Sequence, residues 1–83
     1  MDYFLEVKKM LDEVLHLQGR ASTFDEDTAL LGNVPELDSM AVIALITDME
    51  ERFSFSVDDD EIDGAVFATL DSLTGFVRAK ART

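Results

Sequence analysis

The chain has 83 residues, of which 47% are hydrophobic, and it carries a formal net charge of −11 at pH 7. This length predicts one small domain, residues 1–83, with a single core. Such a charge repels nucleic-acid phosphates and anionic membranes, which excludes a nucleic-acid-binding module and favours basic partners. The chain has no cysteine, which excludes a disulfide scaffold, a thiolate metal site and a thiol nucleophile.

No segment has the features of a membrane-spanning or secretory sequence. A transmembrane helix needs about 18 apolar residues or more, and no run of that length is present. The N-terminal residues, MDYFLEVKKM, lack the order of charged, apolar and small residues that marks a signal peptide. We therefore expect a cytoplasmic protein without membrane insertion.

The first predicted helix covers about residues 2–18. Its apolar residues form two neighbouring rows, which is typical of a helix packed on a core: Val7, Leu11 and Leu15, and beside them Met10, Val14 and Leu17. Asp2 suits the N-cap of this helix, and Gly19 suits its C-terminal end.

A loop of about twenty residues, 19–38, follows the first helix. Loops of this length are uncommon in so small a domain and are often functional. Gly32 and Pro35 interrupt any regular period in it. We expect four apolar residues to hold the loop against the helices: Leu30, Leu31, Val34 and Leu37.

The second predicted helix starts at Asp38 and Ser39, which are both good capping residues, and runs to about Phe53. The residues with helical apolar spacing are Val42, Leu45, Ile46, Met49 and Phe53. At 100° per residue, the opposite face comprises Met40, Ala41, Ala44, Thr47, Asp48 and Glu51.

The C-terminal third predicts a short helical turn and a third long helix. The turn is expected at residues 64–68, and the helix runs from a Thr69 cap to about Ala81. Leu70, Leu73 and Val77 form its buried row. Residues 53–57 alternate like a strand but are too few and have no partner. The predicted fold is therefore all-α: a small bundle of three main helices plus one short helix, with a long structured loop between helices one and two.

An acidic run, residues 58–63, invites comparison with a calcium-binding EF-hand loop. Asp59, Glu61, Asp63 and Gly64 match positions 1, 3, 5 and 6 of that loop. However, position 12, which needs a bidentate glutamate, falls on Leu70, and position 9 falls on Phe67. We therefore predict no metal site here and expect both apolar residues in the core.

The residues that most often carry catalysis are scarce. His16 is the single histidine, and no nucleophile or pocket is suggested around it, so we expect it to be a surface or boundary residue. Ser39 is not surrounded by the G-x-S-x-G pattern of a nucleophile elbow. We predict no catalytic residue and no enzyme activity.

Ser39 is nevertheless notable for its position at the start of the second helix, directly after the long loop. Backbone N–H groups at a helix N-terminus are unpaired and carry a partial positive charge, which favours an attached phosphate. The alternative at this point is that Asp38 or Ser39 only caps the helix.

The middle of the chain resembles an acyl carrier protein. The resemblance is carried by Leu30-Leu31-Gly32, then Pro35-Glu36-Leu37-Asp38-Ser39-Met40, and then a helix ending Glu50-Glu51-Arg52-Phe53. The resemblance extends over nearly the whole chain. It implies that Ser39 carries 4′-phosphopantetheine, donated by coenzyme A, and that Asp38 is recognised by a separate holo-acyl-carrier-protein synthase. The protein would then hold acyl intermediates as thioesters on this arm for fatty-acid, polyketide or specialised lipid biosynthesis.

The resemblance also implies how such a carrier meets its cargo and its partners. Acyl-loading, condensing and acyl-transfer enzymes with basic patches would dock on a monomer through the exposed face of the second helix. We place Met40, Ala41, Ala44, Asp48 and Glu51 on that face. The interior that shelters an acyl chain, which is equally an ordinary core, would include Val42, Leu45, Ile46, Met49 and Phe67.

The sequence departs from the common pattern of the family next to Ser39. Carriers of fatty-acid synthesis usually have acids on the exposed face in the first turns of the second helix, where this chain has Met40, Ala41 and Ala44. We therefore expect a carrier for a dedicated pathway. The alternatives are a carrier of D-alanyl, other aminoacyl or peptidyl groups and, outside the carriers, an acidic calcium-binding or interaction module.

Overall fold

The computed structural model describes residues 2–81 and shows three α-helices arranged as a bundle. Helix α1 spans Tyr3–Leu15, α2 spans Ser39–Phe53 and α3 spans Leu70–Ala81. Two short 3₁₀ helices lie between them, at Arg20–Thr23 and Asp59–Glu61. Helix α1 packs against both α2 and α3. The predicted all-α fold is confirmed.

Helix α1 begins as predicted but ends earlier. Asp2 is its N-cap and accepts a hydrogen bond from the Leu5 amide at 3.2 Å. The helix stops at Leu15, where His16 adopts a left-handed conformation with φ 56°. The prediction that it runs to residue 18 and ends at Gly19 was wrong. Gly19, with φ 91°, instead precedes the 3₁₀ helix Arg20–Thr23.

An aspartate near the end of α1 explains this early stop. The carboxylate of Asp12 accepts hydrogen bonds from the amides of Gly19 and Ala21, at 3.1 and 3.2 Å. The backbone oxygen of Asp12 accepts from the Leu17 amide at 3.0 Å. These contacts pull the chain back over the helix end, so that Leu17 is fully buried although it lies outside the helix.

The long loop is held in place both by apolar contacts and by backbone hydrogen bonds. Leu30, Val34 and Leu37 are buried as expected, but Leu31 is 47% exposed, so the expectation for Leu31 was wrong. The amides of Leu30 and Leu31 donate to the carbonyl oxygens of Ala68 and Phe67, at 2.9 and 3.0 Å. Pairing of the loop with the segment before α3 fixes the direction from which the chain enters α2.

The segment between α2 and α3 contains the short helix at a different place from the one predicted. The 3₁₀ turn is at Asp59–Glu61, whereas residues 64–68 form turns and not a helix. Helix α3 follows with the expected cap: the Ser72 amide donates to Thr69 Oγ1 at 3.1 Å, and the Thr69 amide donates to Ser72 Oγ at 3.0 Å. This reciprocal pair satisfies two amides at the start of α3.

The core lies where the three helices and the loop meet. Leu70, Leu73 and Val77 are fully buried on α3, as predicted. Apart from one isolated bridge between Ala29 and Thr69, residues 2–81 contain no β-pairing. No helix in this range has the length and apolar character needed to cross a membrane.

Candidate functional site

Ser39 is the first residue of α2 and is exposed to solvent. Asp38 precedes it as the N-cap in an extended conformation, and its carboxylate accepts a hydrogen bond from the Ala41 amide at 2.8 Å. The Asp38 backbone oxygen accepts from the Val42 amide at 3.0 Å. Asp38 therefore performs the capping that Ser39 would otherwise supply, and the Ser39 hydroxyl has no hydrogen-bond partner among the described residues.

The electrostatics at the start of α2 favour an attached phosphate. Of the first four amides of the helix, those of Ala41 and Val42 are satisfied by Asp38, whereas those of Ser39 and Met40 have no acceptor within the described chain. The first turn of α2 contains no acidic residue. The Ser39 and Met40 amides are thus available to an anionic group on the serine oxygen, while the Asp38 carboxylate binds the Ala41 amide beside them.

An ion pair anchors the loop directly before Ser39. The guanidinium of Arg20 donates to the carboxylate of Glu36, and Arg20 Nε also donates to the Leu17 carbonyl oxygen at 3.1 Å. The hydrogen bond from Arg20 is the main reason that the pKa of Glu36 lies below its ordinary value. The entry to α2 is thereby tied to the end of α1.

The surface next to Ser39 is apolar. Met40 is 71% exposed and Ile43 is 59% exposed, and Ala44 is exposed beside them. Residues 40, 43, 44 and 47 lie on one helical face. Ile43 was assigned to neither face of α2 from the sequence, although its position three residues after Met40 was the signal that would have found it.

The other predicted docking residues differ in their accessibility. Glu51 is exposed. Ala41 is half-buried and packs against the core. Asp48 is half-buried and accepts a hydrogen bond from Arg52 Nε at 2.9 Å, while Arg52 also donates to Glu13 of α1 at 2.7 Å. Arg52 therefore joins α2 to α1, and Asp48 holds Arg52 from within α2.

Beneath this surface, the side chains expected in the interior are all in or against the core. Leu45, Met49 and Phe67 are at most 2% exposed, and the half-buried Val42 and Ile46 pack against the core. An apolar interior of this kind lies directly under the helix that presents Ser39.

The residues considered for metal binding or catalysis are not assembled into a site. Leu70 and Phe67, at the failed calcium-ligand positions, are core residues, and Glu61 accepts hydrogen bonds from Lys80 at 2.7 and 2.9 Å. The side chain of Asp59 lies outside the described residues. His16 is exposed. Within residues 2–81, no three His, Cys, Asp or Glu side chains are grouped to hold a metal ion.

Comparison with solved structures finds a full-length match. The chain is similar to a holo acyl carrier protein from Nitrosomonas europaea, whose structure was solved by NMR in solution. The two are 49% identical in sequence, the match covers 100% of each chain, and the TM-score is 0.91. No protein-family model matches the chain, and no curated protein sequence does.

Proposed function

Because this chain belongs to the acyl carrier protein family, we propose that it carries acyl groups on a 4′-phosphopantetheine arm attached to Ser39. The observation that carries this assignment is the exposed Ser39 hydroxyl, which has no hydrogen-bond partner among the described residues and stands at the N-terminus of α2. The similar protein from Nitrosomonas europaea is a holo form, which supports the same prosthetic group here.

The residues around Ser39 fit such a group. Asp38 caps the helix through its own carboxylate, so modification of Ser39 would not remove a cap. The unpaired amides of Ser39 and Met40 supply positive charge close to a phosphodiester on Oγ. Asp38 is exposed and is therefore accessible to a holo-synthase that recognises it together with Ser39.

The group would supply chemistry that the chain lacks. Bound phosphopantetheine provides a thiol that forms thioesters, in a protein that has no cysteine. The role of the chain is then to present Ser39, to offer an apolar interior and to dock on enzymes, and we propose that it is itself no enzyme. The similarity to a holo acyl carrier protein favours an acyl cargo over an aminoacyl one.

The assignment is tested by modification in vitro. We expect incubation with coenzyme A, magnesium and a promiscuous holo-synthase to add the mass of one phosphopantetheine to the intact protein. Ser39→Ala should abolish the addition. Ser56→Ala, which removes another exposed serine hydroxyl, should leave it unchanged. Addition to the Ser39→Ala variant would refute the assignment.

For the partners, we propose that a dedicated set of enzymes docks on the face of α2 beside Ser39. This face is apolar at Met40, Ile43 and Ala44, and Glu51 at its far end offers a charge to a basic patch. Enzymes that rely on acids in the first turn of α2 would find none there. We propose a cytoplasmic, monomeric carrier of a specialised pathway in preference to the general carrier of fatty-acid synthesis.

A further inference from the structure

The four methionines of this chain differ in how far solvent reaches them. Met10 on α1 and Met49 on α2 are fully buried in the core, whereas Met40 is 71% exposed. Met1 lies outside the described residues. Among the methionines that the structure describes, Met40 is therefore the one whose thioether is open to small solutes in water.

The composition of the chain makes this thioether the preferred target of a two-electron oxidant. Such oxidants attack the sulfur of cysteine and methionine, and the chain has no cysteine. Hydrogen peroxide is uncharged, so the net charge of −11 does not repel it from the surface. A thioether in the core is reached only when the core opens, which costs free energy. Oxidation is therefore directed to Met40 and away from Met10 and Met49.

We propose that Met40 is a methionine oxidation site that controls docking beside Ser39, an inference that rests on the proposed function. A lone pair of Met40 Sδ attacks one oxygen of hydrogen peroxide, the O–O bond breaks and an S–O bond forms. The sulfur loses two electrons, the proton on the transferred oxygen passes to the leaving hydroxide, and water is released. The product is methionine sulfoxide, which methionine sulfoxide reductases return to methionine.

The place of Met40 on α2 gives this change an effect on docking. Met40 follows Ser39 directly and shares one helical face with Ile43, which is 59% exposed, and with the exposed Ala44. Oxidation turns a flexible apolar side chain of this face into a polar one. An enzyme that buries the face would cover the sulfoxide oxygen, which is unfavourable unless the enzyme supplies a hydrogen-bond donor. We expect kcat/KM of such an enzyme to fall about tenfold.

The fold itself should not respond to oxidation of Met40. Because this side chain is mostly in water, its sulfoxide oxygen stays hydrated in the free protein, and surface changes of this kind have little effect on stability. Oxidation of Met10 or Met49 would instead place a polar oxygen in the core. An unchanged Tm therefore marks oxidation at Met40, and a lowered Tm marks oxidation of the core.

The experiment treats the full chain with millimolar hydrogen peroxide and locates the added oxygen by proteolysis and mass spectrometry. We expect Met40 to be oxidised at least about tenfold faster than Met10 and Met49, with no change in the circular dichroism spectrum or the Tm. After removal of the peroxide, kcat/KM of a holo-synthase acting with coenzyme A should be about tenfold lower than before treatment. Incubation with both methionine sulfoxide reductases should restore it.

Two leucine variants identify the methionine responsible, each compared with its own untreated form. Met40→Leu has an apolar side chain without sulfur and should show no loss of kcat/KM after peroxide. Met49→Leu keeps Met40 and should lose kcat/KM as the wild type does. A loss of equal size in Met40→Leu, or oxidation of Met10 and Met49 as fast as Met40, would overturn the inference.

The untreated wild type separates this inference from the proposed function. If Ser39 receives phosphopantetheine equally well before and after oxidation of Met40, the inference alone is overturned. If Ser39 receives none before peroxide is added, the proposed function is refuted and the inference is refuted with it.

Discussion

The first two turns of α2 and its last two turns differ in what their side chains contact. The first turns present Met40 and Ile43 to solvent and contain no acid. In the last turns Met49 is fully buried, while Asp48 and Arg52 are engaged in ion pairs. The last turns of α2 are therefore tied to α1 through Arg52 and Glu13, whereas the accessible surface beside Ser39 is apolar.

The difference between the two ends of α2 limits which acids of this helix are available for docking. A net charge of −11 suggests that docking relies on acids along α2. However, Asp48 is paired with Arg52, and Glu50 Oε2 accepts a hydrogen bond from the Val57 amide at 2.8 Å. Among the acids of this helix, Glu51 is exposed, whereas Asp48 and Glu50 are half-buried. Partner choice near Ser39 is thus expected to depend on shape and apolar contact, with charge acting in the approach.

Substitution of two methionines on α2 should give the largest difference in stability between its first and last turns. Met49→Ala removes a fully buried side chain and should lower the free energy of unfolding by about 2–5 kcal/mol. Met40→Ala, at a residue 71% exposed, should change it by no more than about 0.5 kcal/mol. Urea denaturation followed by circular dichroism measures both.

The same two variants should show the opposite order in their effect on the activity of a partner enzyme. Met40→Ala should reduce kcat/KM of the holo-synthase about tenfold, because burial of this side chain at an interface would be lost. Met49→Ala, measured at a temperature where it is folded, should stay close to wild type. If Met40→Ala is neutral with every partner tested, the apolar face does not take part in docking.

A carboxylate introduced into the first turns of α2 should raise activity with general enzymes of fatty-acid synthesis. A basic group of such an enzyme, left unpaired against Ala44, loses about 1–3 kcal/mol on burial. Ala44→Glu should therefore increase kcat/KM of a malonyl-transferring enzyme about tenfold. The half-buried Ala41 is less suitable for this change. Ala65→Glu adds the same charge at an exposed position outside α2 and should have little effect; an equal gain from it would assign the result to net charge alone.

Removing the bridge between the last turns of α2 and α1 should have a smaller effect on stability. Arg52 has 23% of its side chain exposed and donates to both Glu13 and Asp48. The hydrogen bond to Glu13 is the main reason that its pKa is raised. Arg52→Gln should lower the free energy of unfolding by about 1 kcal/mol. Lys9→Gln, which removes an exposed base with one long contact at 3.5 Å, should cost clearly less.

The smallest effect on stability is expected from the ion pair between Glu61 and Lys80, which lies outside α2. Hydrogen bonds from Lys80 are the main reason that the pKa of Glu61 lies below its ordinary value of 4.5. A lowered carboxyl pKa stabilises the fold above that value, and the contribution is lost as the pH falls below it. Glu61→Gln should therefore flatten the decrease in stability between about pH 5 and pH 3. Thermal unfolding across this range, with Glu51→Gln as the control, measures the difference, and identical slopes would contradict it.

Much of the helical framework follows from local sequence. The bounds of α2 and the Thr69 cap of α3 were predicted, because capping residues and apolar spacing act over one or two turns. For α2, the sequence left Asp38 and Ser39 as alternative caps, and the structure shows Asp38 in that position. The end of α1 was not predicted. It depends on the Asp12 carboxylate, which binds the amides of Gly19 and Ala21 once the chain has turned back.

Some features of the candidate site could likewise be predicted from the sequence, and others could not. The sequence by itself determined that Ser39 begins a helix after a long loop and that the chain resembles an acyl carrier protein. Only the tertiary structure decided that Ile43 and Leu31 are exposed and that Arg52 pairs with Glu13 of α1. Helical spacing fixes the angle of each side chain around its own axis, but exposure and pairing depend on where the neighbouring helices and the loop lie.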